Sequence, residues 1–410
     1  MLMIKNITKI SAKKNIALLW GAQMISAAGD AIYQLALLWV VLDITGSSVL
    51  TGLVAMGAHM PAILFGLYAG VLSDRFNRFY LMVFSHASQA LTVIIIPIML
   101  FYGIKHIILI GFLAFIRSSF GTLFPPALNA FIAEKFPKEK LVKVNSLLTT
   151  SGYLAFLLGP ALAGILLGIL SLRSLFIFDA VSFLIAILLL LMITIPRSTI
   201  KKENSSTTFQ DLLSGLGYLR KHPAIGILIF LTIINNLFIM GPAIVGIPIL
   251  VKMYLGGTAS DFAFIEAGMA LGMLLGAFAV YRFSDRLSIG KLLLAGMIWD
   301  GVTYSFFYWV PTVPIAIMLI VLHGMGIPTI TISRTAIIQR HTPANYHGRL
   351  FSMVHLGVIG MTSLSAGLVG FLNTLIPIQE VFFFFGIGGA LCGIIGASIP
   401  TLRTIDQQIY

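Results

Sequence analysis

The sequence predicts an all-α membrane protein with twelve transmembrane helices in two pseudo-symmetric six-helix bundles. Of its 410 residues, 58% are hydrophobic and 10% are charged, whereas soluble domains carry about 25% charged residues. Apolar runs of about 18 or more residues recur along the chain, and each is long enough to cross a bilayer core of ~30 Å as a helix. The runs do not alternate with period two, which argues against a β-barrel. No helix has the broad charged face of a water-soluble bundle.

Twelve apolar spans follow one another, and most of the connections between them are short. The spans are expected at 16–42, 47–72, 79–102, 107–131, 144–169, 173–195, 224–251, 260–282, 290–310, 313–337, 350–373 and 377–400. The connection at 197–223 is longer and polar. It is the expected cytoplasmic linker between an N-terminal six-helix bundle, residues 1–196, and a C-terminal six-helix bundle, residues 224–410.

The location of the basic residues explains the net charge of +12. If the N-terminus is cytoplasmic, 21 of the 26 lysines and arginines lie in cytoplasmic segments, three in outer loops and two, Arg117 and Arg334, within spans. Basic residues of membrane proteins are enriched on the cytoplasmic side. We therefore expect a multi-pass protein of the cell (inner, cytoplasmic) membrane with both termini in the cytoplasm. The charge then reflects topology in a lipid bilayer and not nucleic-acid binding.

The two halves of the chain share a weak internal repeat. Phe136-Pro137 and Thr342-Pro343 are 206 positions apart, and the same offset relates Ser146 to Ser352. Repeats at half the chain length are typical of transporters built from two bundles, in which substrate binds near the membrane midplane. This is the first indication of transport.

The loop after span two has the composition of a gate. It reads Gly70-Val-Leu-Ser-Asp74-Arg75-Phe-Asn-Arg78. Gly70 is expected to permit close helix approach. Asp74 can pair with a basic group or a helix end, and Arg75 and Arg78 are expected at the cytoplasmic interface. The alternative interpretation is an ordinary charged turn.

Span four contains an arginine and a proline pair, in the order Arg117-Ser-Ser-Phe-Gly121-Thr-Leu-Phe-Pro125-Pro126. An arginine inside a span is costly and is expected to face a polar cavity or a partner. A purely structural ion pair is the other interpretation. The prolines remove backbone donors, so they predict a kink.

Span five carries Gly159-Pro160 and Gly164. Small residues at this spacing favour close helix packing. Packing alone explains them, whatever the protein does.

These motifs resemble those of the major facilitator superfamily, and longer stretches narrow the resemblance. FIRSSFGTLFPPALNAF in span four and NYHGRLFSM in the second half resemble the macrolide-efflux and siderophore-exporter-like branch. The Arg117 and Gly121 pair resembles an element of proton-driven members. Gly159, Pro160 and Gly164 resemble the motif of antiporters. The resemblance implies the twelve-span major facilitator fold and a drug:proton antiporter of the kind associated with multidrug resistance.

Three ionisable residues within spans are the expected proton-coupling groups, because intramembrane charges mark functional sites. Asp30 lies mid-span, with Gln23 and Gln34 on the same helix face. A nearby Arg117 is expected to switch the protonation of Asp30 as the two groups move. Glu266 in span eight is the third candidate, for a second proton or a cationic substrate. Static polar clusters and structural pairs are the competing interpretations.

Two further carboxylates, Asp179 in span six and Asp300 in span nine, are expected to be structural. The resemblance places spans three, six, nine and twelve at the periphery. Asp179 is close to the outer end of its span and is expected to reach the membrane interface.

A substrate cavity is expected to combine polar and aromatic side chains, which suits an amphipathic organic solute. The resemblance places spans one, four, seven and ten around that cavity. The candidates are Tyr33, Gln34, Gly121, Phe124, Asn235, Asn236, Phe238 and His323. The amides are equally compatible with hydrogen bonds between helices, the aromatics with packing and the histidine with a structural role.

The sequence indicates no cofactor, and no cluster of histidine, cysteine or carboxylate has metal-ligand spacing. No nucleophile–base arrangement or phosphate-binding loop is evident, so an enzyme is not expected. The architecture can work as a monomer, which is the expected state.

The expected activity is export of a small amphipathic organic compound, such as a drug, macrolide or siderophore-like molecule, by proton antiport with alternating access. Two alternatives remain open at this point. A lipid or lysolipid flippase of the same fold would work without a proton gradient. A non-transporting membrane sensor or scaffold would show no flux and would tolerate Asp30→Asn.

Overall fold

The computed structural model describes residues 2–136, 138–193, 208–283, 288–403 and 405. Helices dominate this part of the chain, and none of these residues lies in a β-strand. The α-helices are α1 (Leu2–Thr45), α2 (Ser48–Arg75), α3 (Arg78–Phe101), α4 (Ile107–Gly121), α5 (Phe124–Lys135), α6 (Lys138–Leu167), α7 (Leu172–Leu191), α8 (Thr208–Lys221), α9 (Pro223–Gly241), α10 (Ile247–Ile249), α11 (Ala259–Phe283), α12 (Ile289–Ser305), α13 (Val313–Gly324), α14 (Gly326–His341), α15 (Ala344–Leu372), α16 (Ile378–Ser398) and α17 (Pro400–Arg403).

Eleven helical segments of the described residues are long and apolar enough to cross a membrane. The predicted ninth span falls just outside this group, because α12 has 17 residues and a length of ~25 Å. The 3-10 helix Phe306–Trp309 continues it directly. The predicted all-α membrane fold is confirmed.

Spans four and ten are each interrupted near the middle. Thr122 and Leu123 separate α4 from α5, and the proline pair occupies the first turn of α5. This is the predicted effect of residues that lack a backbone donor. Met325 separates α13 from α14, and this second interruption was not predicted.

Span seven departs from regular helix at Pro242–Gly246 and Leu250–Tyr254, which are π-helical. Just before them, the hydroxyl of Ser365 accepts a hydrogen bond of 2.7 Å from the amide of Gly241 and donates one to the carbonyl of Leu237. The hydroxyl therefore occupies the place of an ordinary backbone bond between residues four apart. Insertion of a side chain into this ladder is a recognised cause of helix bending.

The chain forms two compact units. Unit 1 comprises Met1–Val40 and Pro61–Asn204, and unit 2 comprises Val41–Met60 and Ser205–Tyr410. In unit 1, α3 packs against α4, α5 and α7. In unit 2, α12 packs against α16, α11 against α13, and α9 against α15. The bundle limits 1–196 and 224–410 stay predictions.

Within unit 2, the segment Val41–Met60 packs closely on α15. A Cβ atom on Gly52 would lie 3.0 Å from the Cα of Gly370. Ser363 donates a hydrogen bond of 3.1 Å to the carbonyl of Met56. Asp43 forms an ion pair with Lys252 in the same unit.

Candidate functional site

Arg117 of α4 is the centre of a charged cluster within unit 1. Its Nη2 atom lies 2.5 Å from Oδ1 of Asp30 and 2.8 Å from Oδ2 of Asp179, and its Nε lies 3.2 Å from the same Asp179 oxygen. The structure thus brings together two predicted coupling residues, Asp30 and Arg117. It adds a third member from α7.

The location of Asp179 differs from the prediction. It was expected to reach the membrane interface, but its side chain is fully buried against Arg117. The signal that could have identified it is the one used for Asp30, a carboxylate inside an apolar span. Helix pairing is not visible in one sequence, so nothing linked span six to span four.

Glycines allow the helices of the cluster to approach each other. A Cβ atom on Gly29 would lie 2.8 Å from Oδ1 of Asp179, so α1 and α7 meet closely beside Asp30. A Cβ atom on Gly159 would lie 2.8 Å from that of Ala31 and 3.0 Å from the carbonyl oxygen of Ala28. Gly159 therefore holds α6 against the turn of α1 that carries Asp30. Its neighbour Pro160, and Gly164 one turn later, are buried as well.

The Tyr33 ring lies against the guanidinium, with the Arg117 Cζ atom 3.8 Å from the ring centroid. Phe183 contributes a second ring at 5.3 Å. Such cation–π contacts stabilise a partly desolvated cation. Tyr33, predicted to line a cavity, instead holds Arg117 in place and packs edge-on against Phe176.

The two carboxylates of the cluster differ in exposure. The side chain of Asp30 is 49% exposed, whereas that of Asp179 is 0% exposed. Because a charged group in a span faces protein or water and not lipid, Asp30 is the end of the cluster open to water. Oδ1 of Asp179 has no hydrogen-bond partner among the described residues. Two negative groups thus share one guanidinium.

Three other unit 1 candidates lie in or near helix contacts. Phe124 is buried and stacks on His86 with ring centroids 4.2 Å apart. A Cβ atom on Gly121 would lie 3.0 Å from Oε1 of Gln89. Both belong to the packing of α3 against α4 and α5, which differs from the predicted cavity wall. Gln34 is partly buried, and its amide nitrogen has no partner among the described residues.

The unit 2 cavity candidates on α9 make hydrogen bonds between helices. Asn235 donates to the carbonyl of Gly389 at 3.2 Å. Asn236 donates to the carbonyl of Val358 at 3.0 Å and to the hydroxyl of Thr362 at 2.8 Å. These contacts match the alternative interpretation of the two amides, which is hydrogen bonding between helices. Phe238 packs edge-on against Phe385 on α16.

His323 and Asp300 form a second cluster, in unit 2. His323 Nδ1 lies 3.0 Å from the Thr303 hydroxyl and 3.5 Å from Oδ1 of Asp300. The Tyr304 ring stacks on the imidazole at 3.7 Å. Glu266 lies on α11, which packs against α13, and its side chain is partly buried. His323 is thus fully enclosed and not on an open wall.

A family model described as a transmembrane secretion effector of the major facilitator superfamily matches residues 11–404. The chain belongs to this family. Macrolide efflux protein A of Streptococcus pyogenes is 24% identical to this transporter over 355 residues, covering 86% of this chain and 87% of the relative. The multidrug efflux pump Tap of Mycolicibacterium fortuitum is 22% identical over 400 residues, covering 94% and 95% of the two chains.

The solved structures agree with the family assignment at the level of the fold. The crystal structure of the nucleoside transporter NupG is similar to this transporter with a TM-score of 0.76 and 13% identity. The match covers 94% of this chain and 98% of that one. At this identity the likeness shows the major facilitator fold alone.

The predicted gate motif lies where α2 ends and α3 begins. Arg78 forms an ion pair with Glu134 of α5, and Glu134 also lies 2.7 Å from Lys135. Asp74 and Arg75 are exposed. The sequence identified Arg78 but not Glu134, because a carboxylate near a helix end gives no sign of its partner.

The role expected of Gly70 in the gate motif stays a prediction. Gly70 was expected to allow close helix approach, but no described atom lies within 4 Å of its Cβ position. The loop is instead ordered by Asn77, whose side chain accepts a hydrogen bond of 3.0 Å from the amide of Phe79. The sequence Ser284-Asp285-Arg286 in the second half repeats Ser73-Asp74-Arg75 of this motif, and it lies outside the described residues.

Proposed function

We propose that the transporter exports a small amphipathic organic compound, such as a drug, macrolide or siderophore-like molecule, by proton antiport with alternating access. It acts in the cytoplasmic membrane, with both termini inside, and as a monomer. The observation that carries the proposal is the sharing of Arg117 between a half-exposed Asp30 and a fully buried Asp179.

The charges of this cluster support a proton-binding step. With both aspartates ionised, the cluster carries one net negative charge in an apolar surrounding, which is unfavourable. A proton on Asp30, the group open to water, makes the cluster neutral. It also removes one of the two anions that attract Arg117, so the guanidinium is left to Asp179. Binding of a proton and movement of Arg117 are thereby linked.

The relatives support the direction and the substrate class. Two of them carry names that describe efflux of macrolides or of several drugs. The Gln34 amide nitrogen, one helical turn after Asp30, has no partner among the described residues and can bind a polar group of a solute.

The gate residues complete the proposal on the cytoplasmic side. The ion pair between Arg78 and Glu134 joins the start of α3 to the end of α5. Asp74 and Arg75 remain exposed at the end of α2. We assign these residues to stabilising one state of the inner gate, and Glu266 to assisting proton coupling in unit 2.

The test is efflux from proteoliposomes loaded with a panel of macrolides, fluorescent amphipathic dyes and lysolipids. Wild type is compared with Asp30→Asn, each with and without an imposed pH gradient. Asp261→Asn is the matched control, because Asp261 binds Thr258 at the start of α11 and has no part in the cluster. The expected result is gradient-dependent export that is lost in Asp30→Asn and retained in the control.

Each other outcome has a defined meaning. Movement of lysolipid that does not depend on the pH gradient contradicts the antiporter and supports the flippase. Gradient-dependent export by the Asp30→Asn variant contradicts the assignment of Asp30 as the coupling residue. Absence of flux for the whole panel contradicts export of this class of compound and favours the non-transporting alternative.

A further inference from the structure

The pair Asp300 and His323 lies deep within unit 2 and has no part in the proposed function. Asp300 is 2% exposed and His323 is 0% exposed. Trp299 Nε1 donates a hydrogen bond of 2.7 Å to the carbonyl of Leu322, which joins α12 to α13 beside the pair. The close approach of Gly326, where a Cβ atom would lie 3.0 Å from Oδ1 of Asp300, encloses the carboxyl group from α14.

Hydrogen-bond accounting fixes where the neutral imidazole carries its hydrogen. The Thr303 hydroxyl has one hydrogen, and it is directed to backbone carbonyls, those of Trp299 at 2.7 Å and Asp300 at 3.0 Å. Carbonyls only accept, so the hydroxyl oxygen acts as the acceptor for His323. Nδ1 therefore carries a hydrogen. Nε2 keeps a free lone pair and has no partner among the described residues.

The charges around Asp300 and His323 indicate that the pair binds one proton in addition to the hydrogen on Nδ1. No lysine or arginine of the described residues lies within ion-pair distance of Asp300, and its Oδ1 accepts no hydrogen bond. An ionised Asp300 beside a neutral His323 would be a lone buried charge, which costs several kcal/mol or more. A single proton, on the carboxyl group or on Nε2, makes the pair neutral. The two placements are alternative forms of one bound proton.

Other titratable groups do not supply the missing charge. Facing side chains are Tyr304 on α12, which stacks on the imidazole, and Glu266 on α11, which packs against α13. Both are neutral or negative. The nearest cations along α12 and the tenth span, Lys291 and Arg334, are nine residues before Asp300 and eleven after His323. Those separations correspond to about 13 and 16 Å along a helix.

We propose that Asp300 and His323 form a second proton-binding site of this transporter, in unit 2, separate from the cluster at Asp30. His323 stands 206 positions after Arg117, the offset of the internal repeat. Arg117 is a permanent cation held by two carboxylates, whereas His323 is a cation only when protonated and faces one carboxylate. The unit 2 position thus binds and releases a proton where the unit 1 position keeps its charge.

Proton binding by Asp300 and His323 does not depend on the proposed function. The use of that proton in transport rests on the proposed function. The described residues contain no group of three side chains able to hold a metal ion, so the pair is not assigned to a metal.

The test measures the protonation of the pair directly, in purified wild-type protein reconstituted in lipid nanodiscs without substrate. A pH series is followed by difference infrared spectroscopy, which detects the carbonyl stretch of a protonated carboxyl group. Nuclear magnetic resonance of protein labelled with ¹⁵N-histidine detects an imidazolium. Variants are Asp300→Asn and His323→Gln, with Glu380→Gln in the first turn of α16 as the matched carboxylate control.

We expect a buried-acid band or an imidazolium signal that titrates in wild type and in Glu380→Gln, is lost in Asp300→Asn, and is lost or shifted in His323→Gln. The two variants are independent, so one that fails to fold leaves the other to decide. Overturning results are no titrating signal in wild type, or a signal unchanged in the folded variants.

A second measurement concerns the use of the proton. Substrate-induced proton release is measured with a pH dye in weak buffer, and Asp300→Asn is expected to release fewer protons per substrate than wild type. Equal release contradicts coupling at this pair. A wild type whose export ignores the pH gradient contradicts the proposed function instead, and leaves the titration result standing.

Discussion

At the scale of single residues, the two partners of Arg117 differ in what surrounds them. Asp30 is half exposed and its charge is screened by water, whereas Asp179 is enclosed and accepts two hydrogen bonds from the guanidinium. Exposed ion pairs contribute little to stability, whereas hydrogen bonds between a buried carboxylate and a guanidinium are among the stronger ones. The two aspartates are therefore expected to have separable roles, Asp30 in the proposed coupling and Asp179 in stability.

Asp179→Asn is expected to lower the free energy of unfolding by about 1.5–3 kcal/mol, because a neutral amide weakens the hydrogen bonds from Arg117. Asp30→Asn is expected to change it much less and to affect transport instead. The measurement is SDS-induced unfolding followed by tryptophan fluorescence, with Asp261→Asn as the control. An equal loss of stability in the two variants would contradict the division of roles.

Intramembrane charge was enough to select Asp30 and Arg117 from the sequence, because apolar spans contain so few ionisable groups. Their contact, and the presence of Asp179 in the same cluster, required the packing of α1, α4 and α7. The contacts of the cavity candidates could not be predicted from the sequence. Asn235 and Phe124 have the residue types of a binding site, and those same types also serve helix packing.

At the scale of elements, small residues decide which helix faces meet. Two of the three glycines of α6 have different surroundings. Gly159 touches α1 at Ala28 and Ala31, whereas Gly152 has no described atom within 4 Å of its Cβ position. The sequence indicated packing at Gly159, but the opposing helix was known only from the structure.

Gly159→Ala is expected to destabilise the protein by about 1–3 kcal/mol, because the added methyl group separates α6 from α1. Gly152→Ala is the matched control on the same helix and is expected to be neutral or to stabilise by about 0.5–1 kcal/mol, since alanine favours helix. Both are measured by SDS-induced unfolding. The same gain in both variants would show that helix propensity, and not contact with α1, governs this position.

The interruptions of the spans also differ in how far the sequence predicts them. The proline pair predicted the break between α4 and α5 correctly. The break at Met325 is likewise followed by a proline, Pro328, in the first turn of α14. In α9 a different contact replaces a backbone bond, because the Ser365 hydroxyl from α15 binds the amide of Gly241 and the carbonyl of Leu237. A serine in one span gives no indication of the distant backbone group that it will bind.

At the scale of the whole molecule, the small share of charged residues, the lengths of the apolar runs and the internal repeat were sufficient for the fold. Each of these properties is summed over many residues, so errors at individual positions cancel. Short distances between elements depend on individual contacts and do not benefit from such averaging. The segment Val41–Met60 illustrates this, because its packing within unit 2 depends on two glycines and was not predicted.

Gly52 and Gly370 are expected to act as one contact. A Cβ atom on Gly52 would lie 2.7 Å from the carbonyl oxygen of Ala366, and one on Gly370 would lie 2.5 Å from that of Ser48. Gly52→Val and Gly370→Val are therefore each expected to cost about 1–3 kcal/mol in SDS-induced unfolding. Once either substitution has separated α2 from α15, the second meets little resistance, so the double variant should lose less than the sum of the two. Gly57→Ala, where no described atom lies within 4 Å of the added carbon, is the control on α2. Full additivity in the double variant would contradict direct contact of the two glycines, and would place the cost of each substitution in its own helix.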